Sequence, residues 1–434
     1  MLRSVILLLI LILTILNLTT PTYQALSPGS NDPNFPIGVS SIGETASGIT
    51  IPVETDSVMG FAEIRSLSVS SASLQLNVVV VAVSPSQTEE LWVQNAIQFS
   101  GNDMRFVDNI WNFTTPDASI NPSDIYGNGH VVTTQINGQT ISFYAYCTGY
   151  TTYQLPMSVF LFTNVSTSAG AVIISIGYSM NGNYYTYDRV TVYLPNVIKA
   201  YIYVAPYKTG NGECFDVELV WGGFSDGQTA TFQAMNSSLG IYYEVSNNLY
   251  SPFPAVFNFG RDTSESASNL NAYIGVNGLV CVTVGTPEPN YLTSYFTPLI
   301  PGWAMVTVFS PHYYLVNGYN TTANSNYNPS EPNYGLPYYV SYTSPKIQVK
   351  LPTFTTTDYR FLPSTLVIGP SGEYNTSETI LNFTNGYYEL LVTYLKLPNF
   401  VKVTINIPMW GLVNGTPTLI KTGLYYYGEI IQLP

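Results

Sequence analysis

The chain has 434 residues, of which 13 are Lys or Arg and 26 Asp or Glu, so 9% are charged, where an average soluble protein has roughly a quarter. With a formal charge of −13 at pH 7 it has nothing that points to a nucleic-acid partner, and its few carboxylates neutralise in acid to leave only a modest positive charge. A surface solvated by Tyr, Asn, Ser and Thr loses few ion pairs on acidification, which predicts stability that changes little with pH and suits a hot or acidic exterior; a neutral, glycosylated surface protein shares that composition.

Met1-Leu2-Arg3 precedes an apolar run from Val5 to Leu16, 12 residues long, and the chain then turns polar toward a small-residue cleavage site near Ala25. A bilayer span needs roughly 20 apolar residues, so residues 1–25 read as a signal peptide. No later stretch is long and apolar enough to be an anchor, which predicts a released, extracellular chain or one loosely held at the cell surface. Residues 26–45, rich in Pro, Ser and Gly, read as a pro-segment or a lead-in.

From there short alternating segments rich in Val, Ile, Tyr and Thr recur, among them Leu74 to Val83, Ile141 to Tyr146, Ala171 to Ile176, Arg189 to Tyr193 and Ile198 to Val204. Turn signals such as Asn181-Gly182 and Asn211-Gly212 separate them, and the pattern predicts an all-β fold, an antiparallel β-sandwich. Beyond the signal, the one segment with helical character is Asp262 to Leu270. Pro-rich stretches at Thr286 to Pro289 and Asn328 to Pro337 divide the mature chain into residues 46–286 and a further β-rich region, residues 287–434. Acceptor motifs for N-glycans begin at Asn112, Asn164, Asn236, Asn320, Asn375, Asn382 and Asn414.

The available chemistry is narrow. Only His130 and His312 could join Cys147, Cys214 and Cys281 in a metal site, no spacing among them suits zinc, and no cofactor motif occurs. A Ser-His or Cys-His couple is equally ill supplied, and Gly223-Phe224-Ser225-Asp226-Gly227, though it matches a nucleophile elbow, reads as a Gly-rich turn in antiparallel surroundings. Carboxyl groups remain. In the segment Phe215 to Gly223, Phe215, Val217, Leu219 and Trp221 face one side, and Asp216 and Glu218 face the other with Cα atoms roughly 6 to 7 Å apart. The segment Trp92 to Phe99 places Trp92, Gln94, Ala96 and Gln98 on one face, a polar surface with an aromatic for a sugar or peptide. Asp108 sits between large apolar residues in Phe106 to Asn112, as a structural hydrogen-bond hub or a catalytic acid.

The series Pro36 to Gly43, Trp92 to Asn95, Phe106 to Asn112, Gly127 to Gly129, Tyr187 to Tyr193, Asp216 to Gly223 and Phe259 to Thr263 resembles, in that order, the thermopsin family of secreted acid endopeptidases from thermoacidophilic archaea. The resemblance covers about residues 35 to 285 and implies a metal-independent peptidase that acts on proteins or peptides at low pH. The acids in matching positions are Asp108, Asp188, Asp216, Glu218 and Asp262, with Gln94 as the matching amide. By analogy with the glutamic peptidases, whose sandwich is concanavalin-like, Glu218 is expected to act as general base and then acid, and Gln94 to hold water and oxyanion. The competing expectation pairs Asp108 or Asp262 with Glu218 or Asp216, two carboxyls sharing a proton. Trp92, Trp111, Gln98 and Trp221 are the expected substrate-binding residues. A non-enzymatic envelope protein that binds glycans through Tyr and Trp is the alternative outside enzymology.

Overall fold

The computed structural model describes residues 35–136, 139–225, 227–323, 340–407 and 418–426; the expected signal peptide lies outside them. Strands dominate throughout, and among the described residues the one helical turn is Pro122–Asp124. Asp262 to Leu270 is not helical: Ser266–Ala267 pairs in parallel with Thr229–Ala230. Its Ser and Thr side chains bond across to the neighbouring segment, as Ser266 Oγ does to Thr229 Oγ1 at 2.8 Å, which competes with a helix's own ladder.

Two large sheets face each other. One runs through Val256–Phe259, Ile37–Ser41, Val217–Gly222, Ser71–Val83, Thr88–Ser100, Asp103–Asn112 and Gln139–Cys147, and its neighbours along this order are antiparallel. The facing sheet contains Ala234–Ser246, Ser57–Ser68, Met157–Ser168, Ala171–Met180 and Asn183–Tyr193. Their inner faces close over one core to which Val39, Leu76, Val93, Ile110, Leu219 and Trp221 contribute from the first sheet, and Ala62, Leu161, Ile174, Val190 and Ile241 from the second. The arrangement is the sandwich that alternation predicts.

The second sheet continues into the C-terminal region, because Tyr250 of Leu249–Pro252 pairs with Thr343 of Ser341–Ser344. There Ala304–Phe309 lies parallel to Gly386–Pro398, and Val306, Val308, Tyr342, Val349, Leu390 and Val392 form a second core. Cys147, Cys214 and Cys281 are all free thiols.

Residues 37–41, grouped with the lead-in on composition, form a central strand between Val217–Gly222 and Val256–Phe259, and all five are buried. Composition reads that stretch as a connector because its small residues, Gly38, Ser40 and Ser41, mimic a linker; Gly38 is small because an added Cβ would sit 2.2 Å from the Leu219 carbonyl oxygen. Any processing compatible with this sheet ends before Ile37. Ile37 and Val39 are at most 1% exposed, each contributing about 1.5–3 kcal/mol by burial, against a net stability on the order of 5–15 kcal/mol. A chain starting at Phe35 should therefore melt cooperatively and one starting at Ile42 should not, as thermal unfolding followed by circular dichroism will show; equal melts would mean that the strand is dispensable.

Candidate active site

Alternation in Ser71–Val83 sends Leu74, Leu76 and Val78 into the core and Ser73, Gln75 and Asn77 to the opposite face of the sheet. That face is polar. Across five strands Asn109, Gln94, Asn77, Glu218 and Ser40 are successive partners in register, so their side chains share one row. Glu218 and Gln94 face the same side, two strands and roughly 10 Å apart, with Asn77 between them.

The row is covered. The segments around Gly223 to Thr231 and Gly260 to Asn269 pair with each other, and both are tied to the polar face. Gln98 Nε2 donates to the Phe224 carbonyl at 2.6 Å, Ser73 Oγ donates to that of Gly223 at 2.5 Å, and the Arg105 guanidinium sits 5.5 Å from the Phe224 ring centre. Gly260 passes so close over Glu218 that a Cβ there would stand 2.8 Å from its Oε1. Under this cover Glu218 and Asp216 are 0% exposed.

Three N–H groups reach Glu218. The Arg261 and Asp262 amides donate to Oε1, the second at 3.2 Å, and Asn77 Nδ2 donates to Oε2 at 3.1 Å. No N–H or O–H donor reaches either oxygen of Asp216 or Oδ2 of Asp262; Asp216 instead abuts the carboxyl of Glu218, and Asp262 that of Asp216. Burial, with the charge of the neighbouring carboxyls next, pushes both Asp216 and Asp262 well above the usual carboxylate range. A proton on Asp216 or Asp262 would supply the hydrogen that these neighbouring carboxyls lack. The nearby Cys214 thiol is pushed up to about 12, by burial and then by Asp262, and is no nucleophile.

An amide file leads away from Glu218. Gln75 Oε1 accepts from Gln94 Nε2 at 2.9 Å and from Asn77 Nδ2 at 3.4 Å, Gln94 Oε1 accepts from Asn109 Nδ2 at 2.7 Å, and Gln75 Nε2 donates to Ser73 Oγ at 2.7 Å. Beyond Gln94 and Asn109, the paired Trp92 and Trp111 carry the face into an apolar cluster with Val79, Phe113 and Phe215. Trp92 stacks on Phe113 at 5.6 Å between centroids and its buried Nε1–H has no acceptor. Phe215 joins this outer cluster and leaves the face of Val217, Leu219 and Trp221, because the chain breaks its ladder at Asp216 between Cys214–Phe215 and Val217–Gly222.

Trp221 and Asp108 are on the other side of the sheet. Trp221 is 0% exposed in the core, donating from Nε1 to Ser237 Oγ at 3.1 Å, so it is a packing residue. Asp108 shares the inner face of its strand with Phe106 and Ile110, and the sheet separates it from Glu218 and Asp216; the pairing of Asp108 with either is overturned. Its neighbour is Asp188, whose Oδ1 accepts the Asn128 and Arg189 amides at 2.9 and 2.7 Å and whose Oδ2 accepts Tyr144 Oη–H at 2.6 Å. Neither Asp108 oxygen has a donor, and burial, then the Asp188 charge, pushes its carboxyl up to about 9.

The thermopsin family profile matches residues 20–270, and thermopsin of Sulfolobus acidocaldarius is 32% identical over 290 residues, 62% of this chain and 85% of that protein. The chain belongs to the thermopsin family. Thermopsins are peptidases, and the matched stretch of this endopeptidase contains both acid clusters and the whole amide file, whereas most of the C-terminal region lies outside it.

Of the residues named from the sequence, Gln94, Gln98, Asp216, Glu218, Trp92 and Trp111 lie on one face of the sheet; Ser73, Gln75, Asn77 and Asn109 were missed. Their signal was present in Ser73-Leu74-Gln75-Leu76-Asn77, polar residues alternating at the head of an otherwise apolar strand.

The raised acids set the sign of this thermopsin-family member's response to pH. Asp108 keeps its proton in the fold up to about 9 but ionises near 3.8 when unfolded, so its contribution is complete below about pH 4 and is lost as pH rises toward 9. The slope approaches 1.4 kcal/mol per pH unit, roughly, for one such group. Asp108→Asn should flatten the dependence of the denaturation midpoint on pH across this window. A wild-type slope retained in the variant would show that Asp108 titrates normally.

Proposed function

We propose that this chain is a secreted acid endopeptidase that hydrolyses internal bonds of proteins with Glu218 as general base and the protonated carboxyls of Asp262 and Asp216 as acids. The observation that carries this reading is the buried trio in which three N–H groups converge on Glu218 while both oxygens of Asp216 and Oδ2 of Asp262 have no donor. Amide hydrolysis needs a base for water, a proton for the leaving nitrogen and a donor for the oxyanion. Two adjacent carboxyls do not both ionise readily, which splits them into a base and an acid. The three N–H donors aimed at Glu218, and their scarcity at Asp216, give the base role to Glu218. Glu218 takes a proton from water as its oxygen adds to the peptide carbonyl carbon; Asp262 passes its proton to the leaving nitrogen, and the proton on Glu218 returns through the trio. Gln94, the amide expected beside Glu218, acts on it through Gln75 and Asn77, and the cover at Phe224 and Gly260 moves aside to admit a peptide along Trp92 and Trp111.

The same reading places the enzyme in an acidic, hot exterior. The retained protons are free of cost there, the composition suits it, and residues 1–25 supply export. Exposed Asn236, Asn320, Asn375 and Asn382 are the glycan acceptors best placed for modification.

Cleavage of a denatured protein by the purified chain should rise as pH falls below neutrality. Glu218→Gln should lower turnover by about 10²- to 10⁴-fold, the usual worth of a general acid or base, Asp262→Asn should act similarly, and Gln94→Ala should cost about tenfold. Turnover by Glu218→Gln at the wild-type rate would remove Glu218 from the mechanism.

A further inference from the structure

The amide file has a fixed direction, and one end determines it. The Gly223 carbonyl can only accept, so Ser73 Oγ spends its single hydrogen there, at 2.5 Å. Ser73 Oγ must then accept from Gln75, which turns Gln75 Nε2 toward Ser73 and leaves Oε1 facing the site. Gln75 Oε1 receives both Gln94 Nε2 and Asn77 Nδ2, so those two amides are oriented in turn: Asn77 presents Nδ2 to Glu218, and Gln94 presents Oε1 to Asn109. The reverse setting of Gln75 would put two N–H groups against two N–H groups. Gln75 is 2% exposed and on a central strand flanked on both sides, so water does not replace it.

We infer that Gln75 is the positioning residue of this peptidase: buried beneath the row, it sets, through Asn77, which edge of an amide Glu218 meets, and through Ser73 and the Gly223 carbonyl it ties that choice to the covering segment. The inference rests on Glu218 as the base. If the amide of Asn77 turned over, its oxygen would face a carboxylate, and Glu218 would keep a proton in place of taking one from water. The effect belongs to kcat, since Gln75 is 2% exposed and its polar atoms are taken up by Ser73, Asn77 and Gln94.

Two substitutions separate positioning from packing. Gln75→Leu keeps approximate volume and removes the node; kcat should fall by about 10²-fold, the scale of a small misplacement of a reacting group, with KM little changed. Gln75→Glu is the informative partner. A protonated glutamic acid offers one acceptor and one donor in place of the amide's C=O and N–H, whereas its carboxylate has no hydrogen for Ser73 and brings a fourth acid to the trio. At the acid end of the profile Gln75→Glu should have kcat within about threefold of wild type. Its alkaline limb should shift to lower pH by about one unit or more while circular dichroism at each pH shows the fold retained.

Glu218→Gln is measured beside them. An inactive Glu218→Gln with wild-type kcat and pH profile in both Gln75 variants overturns the inference and leaves the base in place. An active Glu218→Gln overturns the base and the inference together. Should Gln75→Leu fail to fold, the pH profile of Gln75→Glu decides alone: a shifted limb supports positioning, and an unshifted one overturns it.

Discussion

The structure turns on the burial of Asp216, Glu218 and Asp262 at one point on the outer face of a sheet. Two like unit charges about 4 Å apart cost on the order of 4 kcal/mol at the effective dielectric of a protein, so the trio cannot carry three charges and remain closed. Everything around it suits a partly protonated cluster. Backbone amides of Arg261 and Asp262 and the side chain of Asn77 converge on the carboxyl of Glu218, and the surrounding row of Gln and Asn is neutral at every pH. Gly260 lets the covering segment approach where any side chain would collide with the Glu218 carboxyl.

A second acid pair, on the opposite face of the same sheet, is built differently. Asp188 is saturated by two amides and the Tyr144 hydroxyl, and its partner Asp108 is sealed between the sheets beneath stacked rings, with Phe106 and Tyr178 3.6 Å apart between centroids. The trio lies beneath two connecting segments tied down by Gln98, Ser73 and the Arg105–Phe224 contact, and by backbone bonds from Gly260 and Ala267 to Pro36 and Phe35.

The sandwich was legible because strict alternation writes each strand's inner face into the sequence, and Val217-Glu218-Leu219-Val220-Trp221 placed Glu218 opposite the core on that rule alone. The same rule put Gln94 on a polar face. What it could not supply was which of two sides a given strand's polar residues join, since that depends on register between strands far apart in the chain. Asp108 therefore looked like a partner for Glu218 until register placed it on the inner face. Ile37–Ser41 was misread because its residues are small for close approach between backbones, a property that in isolation resembles a flexible lead-in.

Scarcity of charge suggested a stability indifferent to pH, and the surface agrees with that expectation: the ion pairs seen among the described residues are Arg65–Glu63 and Lys199–Glu54, both at exposed positions where such pairs contribute little. The interior does not. Asp108, Asp216 and Asp262 all bind protons more tightly folded than unfolded, so acid adds to stability where most proteins lose it. Surface pairs to break in acid are few, and Asp117, held below the usual carboxylate range by the Thr115 hydroxyl, is the carboxyl among the described residues whose shift runs the other way. Low pH thus favours the fold through Asp108, Asp216 and Asp262, and the last two are also the protonated acids of the proposed mechanism, so one condition serves both.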